Sequence, residues 1–80
     1  MMESVINKAR ECKNSDEMYR LAEELSHALS DAERRLFGAE LSNDWNQIDS
    51  AVKSVATWKY LYKTVDSWAE QMLELEAQHG

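Results

Sequence analysis

Residues 36–45 read LFGAELSNDW, and the order of residue types in this stretch predicts a turn between two helices. Gly38 tolerates the left-handed backbone conformation that commonly closes a helix. Residues 42–44 are three successive residues of the types that cap a helix N-terminus, and Asp44 with Gln47 has the spacing of a capping box. We therefore expect one helix to stop at the glycine and another to start at the aspartate.

Apolar residues with helical spacing lie on both sides of this turn. Before it, apolar residues recur at steps of three or four, which predicts an amphipathic helix over residues 16–37. After it, the same spacing continues without a glycine or proline and predicts one long helix over residues 44–78. Two long helices joined by a short turn lie antiparallel, so we predict an all-α antiparallel helical hairpin that resembles a coiled coil. Its interface is expected to contain Leu21, Leu25, Leu29, Leu36, Trp45, Ile48, Val52, Val55, Leu61 and Val65.

A third, shorter helix is predicted over residues 2–13, packed beside the far end of the long helix. Its apolar positions are Met2, Val5, Ile6, Ala9 and Cys12. Residues 14–17, which read NSDE, interrupt the apolar stripe, and Ser15 is of a type that caps a helix with an acidic first turn. The same four residues are also compatible with solvated helix surface, because no glycine or proline enforces a break.

Composition limits the class of protein. The chain has 80 residues, enough for one small domain, and 15 acidic against nine basic side chains give it a net charge of −6. No apolar run approaches the roughly 18 residues of a membrane span, so we expect no membrane partner. The amino end lacks the basic and apolar regions of a secretory signal, and one cysteine cannot form an intrachain disulfide. A cytoplasmic location is therefore expected.

Two Glu-x-x-His pairs have the spacing of carboxylate and imidazole ligands in helical di-metal sites. Glu24 with His27 and Glu76 with His79 would lie about 30 Å apart in the predicted hairpin. We interpret them as surface residues, with a site shared between chains as the alternative. Cys12 is interpreted as a small buried hydrophobe, because no neighbour guarantees a reactive thiolate. We expect no catalytic, metal or cofactor site, and hence no enzyme.

Three lysines in the middle of the long helix have the chemistry for phosphate contact. Lys53, Lys59 and Lys63 alternate with aromatic residues that could stack on bases. An acidic stretch follows at once, and a phosphate backbone is repelled by a negatively charged protein. Direct nucleic-acid binding is therefore not expected. If the chain does bind a nucleic acid, these three lysines are the residues expected to contact it.

The aromatic residues of the long helix predict an interaction surface. They make this helix apolar over more area than one partner helix covers. The residues expected to be available are Trp58, Tyr62, Trp68, Met72 and Leu75. Either a second copy covers them, giving a homodimer, or the rest of a larger parent protein does.

A set of residues around the turn resembles a segment of large bacterial superfamily 1 helicases of the AAA-domain type. These residues are Leu36-Phe37-Gly38, Ser42-Asn43-Asp44-Trp45, Ile48, Ala51-Val52 and Trp58, within roughly residues 30–60. The family has a Trp shortly after the glycine, where this chain reads Ala39-Glu40-Leu41, and its second Trp falls earlier than Trp58. The resemblance implies a helical insertion in an ATP-driven nucleic-acid motor, whose parent protein supplies the chemistry.

Two functional hypotheses follow. The first is a non-catalytic structural and interaction module, in the form of a hairpin that belongs to a helicase-like protein. The alternative is an independent small acidic adaptor or regulator that binds another protein through its Trp, Tyr and Met side chains.

Overall fold

A computed structural model describes residues 2–79, which form three helices and no strand. They are α1 (Met2–Glu11), α2 (Ser15–Ser42) and α3 (Trp45–His79). The prediction of an all-α fold is confirmed, and α2 and α3 pack as a hairpin. The Cα atoms span 54 × 19 × 13 Å, so the molecule is elongated along the two long helices. None of these helices is both long and apolar enough to cross a membrane.

A line of side chains on each helix holds α2 against α3. The line in α2 consists of residues seven positions apart, all of them buried: Met18, Leu25, Ala32 and Ala39. The matching line in α3 has the same spacing and contains Val65, which is buried, and three half-buried residues, Ala51, Trp58 and Met72. A seven-residue repeat is the spacing of coiled coils, so the predicted resemblance of the hairpin to a coiled coil agrees with the structure.

The predicted interface is buried at some positions and exposed at others. Leu21, Leu25, Leu61 and Val65 are buried, and the half-buried positions are Leu29, Leu36, Ile48 and Val55. Trp45 and Val52 were expected in the interface, and this prediction is wrong, because they are 80% and 48% exposed. Near the turn the buried line runs through alanines, whose small side chains let the helices approach closely and leave larger neighbours outside.

The short helix α1 packs beside the middle of α3, near residues 58–68, and not beside its far end as expected. Val5 and Ala9 are buried in one cluster with Leu21, Leu61 and Val65. The same cluster contains Ala22 and Ala69, so it joins all three helices.

The junction between α1 and α2 is a true break. Asn14 has an extended backbone (φ −148°, ψ 173°), and its side chain accepts a hydrogen bond from the N–H of Glu17 at 3.0 Å. The Glu17 carboxylate accepts one from the N–H of Lys13 at 2.6 Å. Asn14 is therefore the N-cap of α2, and the expectation that Ser15 caps this helix is wrong.

The turn between α2 and α3 lies later than predicted. α2 passes through Gly38 and ends at Ser42, so the expected end near residue 37 is wrong. Asn43 adopts the left-handed conformation instead (φ 58°, ψ 23°), and its N–H donates to the carbonyl of Glu40 at 3.3 Å. The extra helical turn is retained because it buries Ala39 against α3.

The start of α3 agrees with the cap predicted from its sequence. Asp44 Oδ1 accepts hydrogen bonds from the N–H groups of Asn46 at 3.0 Å and Gln47 at 3.5 Å. In a full capping box the side chain of Gln47 would accept a hydrogen bond from the N–H of Asp44. Here this N–H donates to Ser42 Oγ at 3.4 Å instead. A short turn is thus capped from both sides.

Candidate interaction surfaces

The buried line of α2 divides the hairpin into two long sides. In a helix, the residues three and four positions after a given residue lie on opposite sides of it. Ala28 and Arg35 therefore flank the line on one side. Leu29 and Leu36 flank it on the other. α1 covers the first side, where Val5 lines a groove together with Ala28. We call this the α1 side, and the opposite one the bare side.

The bare side is apolar along the half of the hairpin nearest the turn. Leu29 and Leu36 of α2 face this side, as do Ile48 and Val55 of α3, and all four are half-buried. Tyr62 continues the α3 row at the same seven-residue step and is also half-buried. No other helix of residues 2–79 lies over this surface, since α1 occupies the opposite side.

A second row of α3 lies on the bare side, farther from α2. Its members are seven residues apart: Trp45, Val52, Lys59, Asp66 and Leu73. We call them the outer row. Its apolar members are 80%, 48% and 48% exposed, in chain order, and the two residues of opposite charge occupy its centre.

The turn end carries another exposed apolar pair. Phe37 and Leu41 are 65% and 71% exposed and lie one helical turn apart on α2. Because Ala39 between them faces α3, both lie toward the outside of the hairpin. Together with Trp45 they are the most exposed large apolar side chains of the described residues. Sequence reasoning missed this pair because it ended α2 at Gly38.

The five residues predicted to form the interaction surface do not share one face. Trp58, Tyr62 and Met72 are half-buried against the core of their own chain. Trp68 is 37% exposed and lies on the α1 side, and Leu75 is 55% exposed near the end of α3. The area that these residues offer to a partner is therefore smaller than the spacing alone indicated.

The three lysines do not form a single basic face either. Lys53, Lys59 and Lys63 are all exposed. Lys53 Nζ lies 3.0 Å from Asp49 Oδ2, so its charge is partly neutralised. Lys59 and Lys63 are one turn apart, whereas Lys53 lies about a third of a turn around the helix from Lys59.

The two Glu-x-x-His pairs have separate surroundings. Both carboxylate oxygens of Glu76 accept hydrogen bonds from Ser15, and Glu24, His27 and His79 are exposed. Within residues 2–79, no group of three or more His, Cys, Asp or Glu side chains is arranged to hold a metal ion.

Cys12 is half-buried just after α1, and its Sγ donates to the carbonyl of Lys8 at 3.2 Å. Burial raises the pKa of this thiol, and the negative charges of Glu17 and Glu11 raise it further. The thiol form is therefore favoured over the nucleophilic thiolate.

No protein-family model, curated protein or solved structure matches this chain. These comparisons do not link the chain to helicases, and that resemblance stays a prediction from the residues around the turn.

Proposed function

We propose that this chain is a non-catalytic helical interaction module that pairs with a second copy of itself through the bare side. The outer row of α3 carries the proposal. It places exposed apolar residues at a regular spacing on a surface that no element of residues 2–79 covers. Such surfaces mark sites of protein association.

The dimensions favour side-by-side pairing over contact through the turn. The Cα atoms of the molecule extend over 54 × 19 × 13 Å, so pairing along its length offers several times the surface of pairing through the turn end. The turn end measures 19 × 13 Å, or about 250 Å², which is too small. The bare side is accordingly the surface on which a dimer would form.

The outer row favours a second copy as the partner because four of its five members, Val52, Lys59, Asp66 and Leu73, complement one another. When two α3 helices pair antiparallel about an axis between residues 62 and 63, Lys59 faces Asp66 of the second copy. The same register places Val52 opposite Leu73 of the second copy. Two-fold symmetry repeats both contacts, so opposite charges meet at the centre and apolar side chains meet on either side.

Light scattering at tens of micromolar tests this proposal. We expect the unmodified chain to have the mass of a dimer. Lys59→Asp places carboxylates opposite each other twice and should weaken association about tenfold or more. Lys59→Asp combined with Asp66→Lys exchanges the charges and should restore the dimer.

Arg34→Asp makes a similar change of charge on α2, away from the bare side, and serves as the control. A monomeric unmodified chain contradicts the proposal. So does a dimer that tolerates Lys59→Asp as well as it tolerates Arg34→Asp.

A second candidate function is favoured by Phe37 and Leu41, which lie outside the bare side. Their exposure supports contact with a different protein, as an adaptor or as the insertion of a helicase-like parent. The coding frame around this chain distinguishes the two, since a phosphate-binding loop motif in the same frame supports the insertion. Phe37→Ser with Leu41→Ser should leave the dimer mass unchanged if these residues serve another partner.

A further inference from the structure

α1 covers apolar side chains that belong to both long helices. These side chains form one buried cluster with Val5 and Ala9 of α1, and they are Leu21, Leu25, Leu61 and Val65. They also line the cavities that run along the two flanks of α1. The α1 side of the hairpin is therefore apolar, as the bare side is, and it differs in being covered by a helix of the same chain.

The attachment of α1 to the hairpin is small. Of residues 3–11, Val5 and Ala9 are buried and the others are half-buried or exposed. Within residues 2–79, no side-chain hydrogen bond or ion pair joins α1 to α2 or α3. α1 has 10 residues, fewer than the roughly 12–15 at which an isolated helix becomes marginal in water. Its helical form thus depends on a few apolar contacts with the hairpin.

The hairpin has contacts of its own that do not involve α1. Ala32 and Ala39 are buried between α2 and α3 near the turn, outside the cluster that contains α1. Two hydrogen bonds between Ser15 and Glu76 join the open ends of the two helices. Asn14, which lies after α1, supplies the N-cap of α2. We therefore expect α2 and α3 to stay paired when α1 undocks.

We propose that α1 is an intramolecular cap that prevents the α1 side from pairing with a further copy of this chain. Undocking of α1 would expose Leu21 and Leu61 along a long side of the hairpin, and exposed apolar surface of this kind marks sites of association. A chain that pairs through both long sides is not limited to one two-fold contact, so assembly continues beyond two copies. The inference concerns the regulation of pairing, and it rests on the proposed function for the mass of the unmodified chain.

Val5→Asp in the full chain tests the proposal. It places a carboxylate in the apolar cluster, where an unpaired charge is too costly to bury, so α1 should undock. Asn7→Asp adds the same charge two residues away at an exposed position and is the control. Light scattering at tens of micromolar should give Val5→Asp a mass about twofold or more above that of the unmodified chain. Asn7→Asp should leave the mass unchanged. An unchanged mass for Val5→Asp would overturn the proposal.

Hydrogen exchange on Val5→Asp gives a second readout. The amides of α1 should lose their protection, whereas those of residues 57–68 should keep it. Protection that persists in α1 would show that Val5 does not hold the helix in place, which contradicts the proposal. Protection lost from residues 57–68 as well would show that α1 is not a separable cap, which contradicts it too.

Lys59→Asp separates this proposal from pairing through the bare side. If the bare side pairs, the unmodified chain is a dimer, and Val5→Asp combined with Lys59→Asp should return from the larger assembly to a dimer. If the unmodified chain is a monomer, the pairing proposal fails, and Val5→Asp should still form a dimer that tolerates Lys59→Asp. The cap proposal fails in either case when Val5→Asp has the same mass as the unmodified chain.

Discussion

The carboxylate of Glu76 accepts two hydrogen bonds from Ser15, one from the backbone N–H at 2.8 Å and one from the hydroxyl at 2.9 Å. Ser15 begins α2 and Glu76 lies in the last turn of α3, so these bonds join the open ends of the hairpin. The first N–H groups of a helix have no partner within it and prefer a negative charge nearby. Glu76 therefore caps a helix other than its own.

Glu76→Ala should lower the free energy of unfolding by about 1–3 kcal/mol, because Ser15 is only 3% exposed and its two donors lose their acceptor. Thermal denaturation followed by circular dichroism measures this. Glu74→Ala removes an exposed carboxylate two residues away and is the control. Equal midpoints for the two variants would show that the Ser15 contact adds no stability.

Gly38→Ala should stabilise the protein by about 0.5–1 kcal/mol. Gly38 lies within α2, its φ is not positive, and a Cβ built there meets no atom within 4 Å. Alanine thus gains helix propensity without a clash. The comparison is Asn43→Ala, which should destabilise because it removes a residue that tolerates the left-handed conformation. A lower melting midpoint for Gly38→Ala would mean that the helix ends at the glycine after all.

Leu25→Ala should cost about 2–5 kcal/mol, since Leu25 is 4% exposed in the centre of the buried line. Leu29→Ala removes the same atoms from a half-buried position on the bare side and should cost less in the monomer. Chemical denaturation of both variants at low protein concentration gives the comparison. A larger loss for Leu29 would place the interface on a different face of α2.

Cys12 should react slowly with iodoacetamide, because burial and the charges of Glu17 and Glu11 raise its pKa above the ordinary value of 9.0. A pKa raised by folding favours the neutral thiol. The protonated Cys12 thiol therefore makes its full contribution to the free energy of unfolding below the pKa that Cys12 has in the unfolded chain. This contribution is lost as the pH rises through the pKa that Cys12 has in the folded protein.

Glu11→Gln should lower the pKa of Cys12 and speed alkylation near pH 9.0, whereas Glu3→Gln, at the other end of α1, should not. Rates measured across an alkaline pH series test this. Identical rate profiles for the two variants would remove the electrostatic explanation.

Local sequence patterns predicted most of the fold because helices and caps depend on neighbouring residues. The start of α3 at Asp44 is an example. The end of α2 could not be read in this way, since Gly38 meets the local rule for a stop and the burial of Ala39 against α3 overrides it. Trp45 failed for a related reason, because alanines form the buried line near the turn and a search for large apolar residues gives them little weight.

The candidate surfaces were less predictable than the helices. The apolar stripe of α3 is wider than one interface between helices, so its sequence does not show which of its residues another helix covers. In the structure α1 covers part of Trp68. Counting in steps of seven through Trp45, Val52 and Leu73 would have found the outer row. The contact between Ser15 and Glu76 joins residues 61 positions apart and has no local signal.

The short turn between α2 and α3 also sets the order in which the molecule should assemble. Ala39 and Ala51 line one groove near the turn, so joining them closes a short loop, whereas the Ser15 and Glu76 contact closes a loop of 61 positions. Because the entropy lost on closure grows with loop length, we expect pairing to begin at the turn and to advance toward the open end. α1 then docks last, after α2 and α3 have paired. Substitutions near the turn should accordingly slow folding, and substitutions at the open end should mainly accelerate unfolding.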